Sequence, residues 1–216
     1  MRIIRKPNPY IWEQLKNAPT EGRFEMTVLQ PVRDAEPQNL IGFNEARYAD
    51  NRQDKWFHFY IDDYQYECLW NDLRKYIPML KQFAGGIGPD FSMYHDMKRA
   101  QQLWNCWRNR ALAYIMQKEG ILTVPNACWS DEESLEWAFD GLPEDSLLAV
   151  TTQACMGQDY VLRQALLNGL HELVRRKHPR KLVVYGKFPE EWKERFPMPI
   201  DVHPSFCEKK WRLNNG

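Results

Sequence analysis

From Leu40 onward the chain alternates short, nearly unbroken apolar runs with longer stretches whose apolar residues recur every three or four positions. The runs are LIGFN (40–44), WFHFYI (56–61), AGGIGPDF (84–91), ILTVPNACW (121–129), LLAVTTQ (147–153), KLVVYG (181–186) and IDVHP (200–204). Each has the length of a strand buried on both faces. Between them, Leu69, Leu73, Ile77 and Leu80 predict a helix over about 65–82, with Pro78 as a bend or stop. Ala100, Leu103, Trp104, Trp107, Ala111, Leu112 and Ile115 predict another over about 98–118, started by Asp96 and ended by Gly120. A short helix is expected over about 131–139, a long one over about 158–176, and a last short one in PEEWKERF.

Strands separated by helices argue a mostly parallel sheet covered on both faces, hence an α/β domain of consecutive βα units. Polar residues stand at almost every strand end. That favours an incomplete or irregular βα barrel, which gathers all those ends at one mouth, over an open doubly wound sheet, which uses the ends beside its switch point. Residues 1–39 carry Pro7, Pro9, Pro19, Pro31 and Pro37. They read as an extension packed on the core, with a helix over about 9–17 and an edge strand in FEMTVLQPV. The core is then 40–206, followed by a polar, basic tail over 207–216.

Composition narrows the function classes. Lys+Arg and Asp+Glu both total 29, so binding to nucleic acid along the whole chain is not expected. The five cysteines are scattered, and only Ile3 and Ile4 stand where a signal peptide needs an apolar stretch. Both point to reduced thiols, a cytoplasmic protein and no membrane span. Zinc spacings, a P-loop and a dinucleotide glycine fingerprint are all missing from the sequence.

The chemistry collects at strand ends. Asp62, Asp63 and Asp90 are expected there as catalytic carboxylates, able to hold Mg²⁺ or Mn²⁺ or to divide into acid and base. The plain alternative is that Asp63 and Asp90 cap turns. Ser92 follows on the same turn as Asp90, with His95 nearby but no nucleophile-elbow glycines. Arg108 is expected to pair with an aspartate such as Asp62 or Asp90, with phosphate binding as the lesser reading. Asn126 and Trp129 can orient and stack a planar ligand, or can be a turn asparagine and a packed tryptophan. Thr152 and Tyr185 are expected on the rim of the mouth. The basic run from Arg175 to Lys181 reads as a solvated helix end on the opposite face.

HFYIDDYQYECLW, GPDFSMYHDM, WNCWRNRALAYIMQKEG, PNACWSDEES, FDGLP, LLAVTTQ and PRKLVVYGK, in this order and preceded by IGFN, resemble a domain-of-unknown-function family. Its members occur in Firmicutes and other bacteria and in their phages and mobile elements. The resemblance spans about residues 41–187 and implies context rather than a reaction. Two places depart from the family pattern: TTQACMG, with Ala154 and Cys155 inserted in a turn, and the double glycine Gly85–Gly86. Two functions are expected. One is a cleft at the strand ends acting on a phosphate-bearing or nucleotide-like ligand. The other is a non-catalytic protein that binds a host protein or a small signal molecule.

Overall fold

The computed structural model of the protein describes residues 8–157 and 159–215, with side chains as far as Trp211. The opening MRIIRKP, including Pro7 and the Ile3–Ile4 pair, lies outside the described residues, as do Gln158 and Gly216. The core begins with β3 (Leu40–Gly42), reached after α1 (Pro9–Leu15) and a two-residue hairpin of β1 (Thr20–Glu21) and β2 (Met26–Thr27). Then follow α2 (Phe43–Ala46), β4 (Trp56–His58), α3 (Glu67–Leu80), β5 (Gly85–Ile87), α4 (Arg99–Lys118) and β6 (Thr123–Val124). The second half is β7 (Leu147–Thr151), α5 (Tyr160–Lys177), β8 (Lys181–Tyr185), α6 (Glu190–Lys193), β9 (Ile200–His203) and α7 (Phe206–Asn215).

All core strands run parallel and in chain order. β3-β4-β5-β6 form one sheet and β7-β8-β9 another. A bridge between Asn126 and Ala149 joins them, through Ala127 N donating to Ala149 O at 2.8 Å and Ala149 N to Pro125 O at 2.9 Å. The fold is α/β, and the strand order shows no switch point.

The joined sheets curl. β4 and β8 stand four places apart, about 19 Å along a flat sheet, yet the His58 and Tyr185 rings lie 4.4 Å apart and Tyr60 stacks on Tyr185 at 5.1 Å. Side chains from six strands therefore meet on the inner face: Leu40, Trp56, Ile87, Val124, Ala149 and Val183. The opposite faces pack outward, Phe57 and Phe59 against α3 and α4, and Leu148, Val150, Leu182 and Val184 against α5. The ring does not close, because β3 and β9 are not paired among the described residues. Instead α7 bridges the opening: Phe206 N donates to Tyr185 Oη at 2.9 Å and Lys209 Nζ to Leu40 O at 3.3 Å. At the other end Val32, held by Leu147 N and Ser146 Oγ, enters the interior and stops it.

Several expectations change. The predicted edge strand shrinks to Met26–Thr27, because Pro31 and the contacts of Val32 turn the chain onto the barrel floor. α3 runs through Pro78 and bends at Asp72 instead. Lys98, not Asp96, is the N-cap of α4, its backbone N–H donating to Gln101 Oε1 at 3.2 Å. The short helix over 131–139 is a single 3₁₀ turn at Glu133–Glu136. Asp159 caps α5, its carboxylate accepting from Val161 N and Leu162 N. The polar tail is helical as far as Asn215. The basic run is largely engaged: Lys177 is buried against Glu21, Arg176 lies 3.6 Å from Asp140, and Lys181 reaches Glu36 and Asp201.

The double glycine has a packing reason. Gly85 and Gly86 sit opposite Trp56 and Phe57 on the neighbouring strand. A Cβ on Gly86 would stand 2.0 Å from Phe57 Cε2, and one on Gly85 2.5 Å from Trp56 Cζ3. The two rings thus lie across the glycine strand, one on each face. Gly86→Ala is expected to cost about 1–3 kcal/mol by overpacking, seen as a lower urea midpoint at unchanged m-value. Phe57→Leu added to it should recover part of the loss, which a double-mutant cycle measures.

Candidate functional site

The C-terminal extensions of β4, β5 and β6 bring three turns together: Tyr60 to Tyr66, Gly88 to Ser92, and Pro125 to Trp129. α4 fixes the middle one with side chains a helical turn apart. Asn109 Oδ1 accepts from Phe91 N at 2.7 Å and its Nδ2 donates to Phe91 O at 3.1 Å, while Asn105 Nδ2 donates to Ser92 O at 2.6 Å. These buried amides satisfy backbone groups that the sheet no longer pairs. Arg108 lies 3.6 Å over the Phe91 ring and clamps Glu67 with one guanidinium nitrogen, at 2.8 and 2.9 Å. Its partner is therefore Glu67 and not Asp62 or Asp90, because α3 and α4 follow adjacent strands and the first turn of α3 lies against mid-α4.

Asp90 occupies the centre. Protein surrounds it on several sides, yet part of it remains open to solvent. Asn126 Nδ2 donates to Asp90 Oδ1 at 2.8 Å and to Pro89 O at 3.2 Å, and Asn126 Oδ1 accepts from Tyr60 Oη at 2.8 Å. Burial pushes the Asp90 carboxyl up to about 6, with the Asn126 hydrogen bond opposing and the Asp63 charge adding. Asp63 accepts from Ser92 N at 3.1 Å and from Ser92 Oγ at 2.9 Å. Burial raises its carboxyl too, against those hydrogen bonds and the Arg108 charge. The Asp90 charge is felt in turn by Tyr60, Tyr66, Cys128 and Cys155, whose ionisation burial already disfavours.

The other expected site residues are placed differently. Asp62 is exposed and accepts from Gln65 Nε2 at 3.2 Å. Ser92 bonds to Asp63, while His95 is exposed two residues beyond Met93. Trp129 packs into α5, its Nε1 donating to Ala165 O at 3.1 Å and its ring filling the space beside Gly169. That is the packed-tryptophan alternative. Thr152 is fully buried and ties β7 to β8, its Oγ1 donating to Lys187 O at 2.8 Å. Tyr185 points into the curled interior rather than to a rim. Among the described residues no three His, Cys, Asp or Glu side chains are grouped to hold a metal ion. Asp63 and Asp90 would be the protein's carboxylate donors, and bound Mg²⁺ commonly takes its remaining ligands from water and substrate phosphate.

Sequence patterns did not single out Tyr60 or Tyr66, and the WRNR stretch, which offers Arg108 and Arg110 to phosphate or carboxylate, did not show that Arg110 is spent on backbone carbonyls. Arg110 is the bulkiest fully buried side chain, donating to the carbonyls of Asn126, Ala138 and Asp140 at 2.9, 2.7 and 3.2 Å. The available signal was the polar residues at 105, 108, 109 and 110, set among the apolar positions of mid-α4. Such a stripe is tolerable in a core only if each group finds a partner there.

Comparison with known proteins bears on this site only through kinship. The "Gene 1 protein" of Mycobacterium phage D29 is 33% identical over 172 residues, covering 78% of this chain and 63% of that protein. The "Gene 1 protein" of Mycobacterium phage L5 is 32% identical over 166 residues, covering 76% of this chain and 72% of that one. The chain thus spans less than two thirds of the D29 protein's length. No solved structure matches. The family model described as Domain of unknown function (DUF4417) matches residues 18–203, nearly the whole described core, and the chain belongs to that family.

Proposed function

We propose that the strand-end cleft around Asp90 binds a phosphate-bearing or nucleotide-like small molecule and that Asp90 exchanges a proton with it. The observation that carries this reading is Asp90 itself: a carboxyl anchored through Asn126, raised to about 6 by burial, and still open to solvent on one side. A general acid or base works best with a proton affinity near the working pH. Asp63 and Ser92 stand beside it as a hydrogen-bonded carboxylate and hydroxyl. Tyr64 beside Asp63 and Tyr94, whose Oη lies 3.2 Å from Ser92 Oγ, are both exposed and offer faces on which a base can stack. A phosphate here would need a divalent cation to shield it from Asp63, leaving Asp90 free for the proton.

A second reading, a non-catalytic protein that docks on a host protein, is favoured by a different observation. Trp12, Trp70, Trp104 and Trp107 form one aromatic cluster on the outer surface of α1, α3 and α4. Trp12 and Trp104 keep 42% and 46% of their surface exposed, more than core packing requires.

Thermal unfolding against a panel of nucleotides and sugar phosphates, with and without Mg²⁺, separates the two. A ligand at a hundred times its Kd stabilises by about 2.7 kcal/mol, a shift of several degrees for a domain of this size. The shift is expected in the wild type and should be lost in Asp90→Asn. An unmoved panel, or an Asp90→Asn protein that keeps its fold and its full biological effect, overturns the acid–base reading.

Asp90 also makes a stability prediction that needs no ligand. Unfolded, its carboxyl titrates at 3.8, and folded at about 6. Between these values the native state holds the extra proton, so stability falls as pH rises through the window and the cost persists above it. Asp90→Asn should therefore be more stable than the wild type at pH 7.5, by on the order of 2 kcal/mol after allowance for the solvent-open edge. The two proteins should converge below about pH 4, as read by urea denaturation across that range.

A further inference from the structure

We infer that a separate recess, at the ends of β8 and β9, is a binding site for an apolar carboxylic acid. It holds about 440 Å³, within the roughly 300–1,000 Å³ of small-molecule pockets. Asp63, Asp90, Ser92 and Asn126 do not line it, so the inference stands apart from the reading of Asp90. Met156 enters the recess from the turn after β7, Gly186 to Pro189 from the turn after β8, and Val202 and Pro204 from the end of β9. Gly186 makes the middle turn possible. Its φ is +114°, a value that glycine alone adopts readily, and a Cβ there would stand 2.6 Å from Thr152 Oγ1. That hydroxyl pins the turn by donating to Lys187 O at 2.8 Å. The chain therefore reverses between Lys187, which is exposed, and Phe188, which is buried edge-on against Trp192 at 5.8 Å and 89°.

The walls are apolar and only half covered. Met156 and Val202 pack against the outer core, yet both stay half-buried where they line the recess, as do Pro189 and Pro204. Apolar surface left in water favours an apolar occupant. Two charged side chains also line the recess, Lys187 and Glu208. Glu208 is committed to the capping box of α7: its Oε2 accepts from Ser205 N at 2.9 Å, and Ser205 Oγ accepts from Glu208 N at 3.3 Å. Lys187 has no such commitment, because its side chain makes no ion pair or hydrogen bond among the described residues. A free ammonium at the edge of apolar walls complements an anionic group on an apolar body. The Glu208 charge on the same recess repels a dianionic phosphate more than a single carboxylate, and so favours the acid.

The experiment follows the methyl signals of Met156 and Val202 by NMR while the full chain is titrated with naphthoate, naphthol, naphthylmethylamine or acetate. Naphthoate should shift both methyls saturably and bind about five- to tenfold more tightly than naphthol. Its affinity should fall as salt is raised, while that of naphthol should not. Naphthylmethylamine should bind more weakly than naphthol, and acetate should move neither methyl. Lys187→Gln should remove the advantage of naphthoate and leave naphthol unchanged. Met156→Glu should weaken both, and Val202→Thr supplies the same test from the strand should Met156→Glu fail to fold. Methyls that no aromatic probe moves overturn the inference. So does a neutral, cationic or purely polar probe that binds as tightly as naphthoate, or a Lys187→Gln protein with undiminished affinity for the acid.

Discussion

Asn126 is the joint on which the rest of this structure turns. Its backbone forms the bridge to Ala149 that unites the two parallel sheets, and its carbonyl accepts from the buried Arg110 guanidinium. Its side chain reaches inward to Tyr60 and outward to Asp90. Scaffold and site therefore share a residue. The strand-end face takes its geometry from the same bonds that hold the barrel-like curl together, so the curl cannot relax without moving Asp90. Buried polar networks of this kind stabilise only when every member is satisfied. Here Arg110 is satisfied by three carbonyls and Asn126 by donors and acceptors on both sides.

Curling decides where a ligand can come from. An open sheet would leave its face to helices, but here the inner face is its own core, filled by Trp56, Ile87, Val124 and the His58–Tyr60–Tyr185 stack. Val32 stops one end and α7 covers the unpaired edge near Tyr185. The remaining approach is over the turns that follow the strands. His58 shows how dry the interior is: burial, with the Lys209 and His203 charges, lowers it to about 3. It thus stays neutral around pH 7.

Much of this was legible in the sequence, and the division is physical. Apolar runs and helical spacing located the seven core strands and their long helices, because burial on two faces leaves a continuous pattern. The strand-end carboxylates Asp63 and Asp90 were legible as out-of-place polar residues after apolar runs. Their partners were not. Trp129, Thr152 and Tyr185 stand at strand ends in the sequence, but whether a side chain there faces a mouth, a helix or the interior depends on the curl. Arg108 pairing with Glu67 is likewise a consequence of which turn of α3 faces α4. No local pattern encodes that.

His58 and Asp90 place opposite demands on folding. Asp90, raised from 3.8 to about 6, favours the folded state most at acid pH. His58, lowered from 6.5 to about 3, disfavours it there, because the unfolded chain takes up a proton that the native interior refuses. Over roughly pH 4–6 the two contributions run in opposite directions and offset one another. Above pH 7 His58 costs nothing, and the ionised Asp90 remains as a buried charge opposed by its hydrogen bond from Asn126. A chain under selection for stability alone would have an amide at that position, since asparagine accepts the same hydrogen bond without the charge. The acid at that position, in a frame that holds it at a cost in stability, is what the proposed proton exchange rests on.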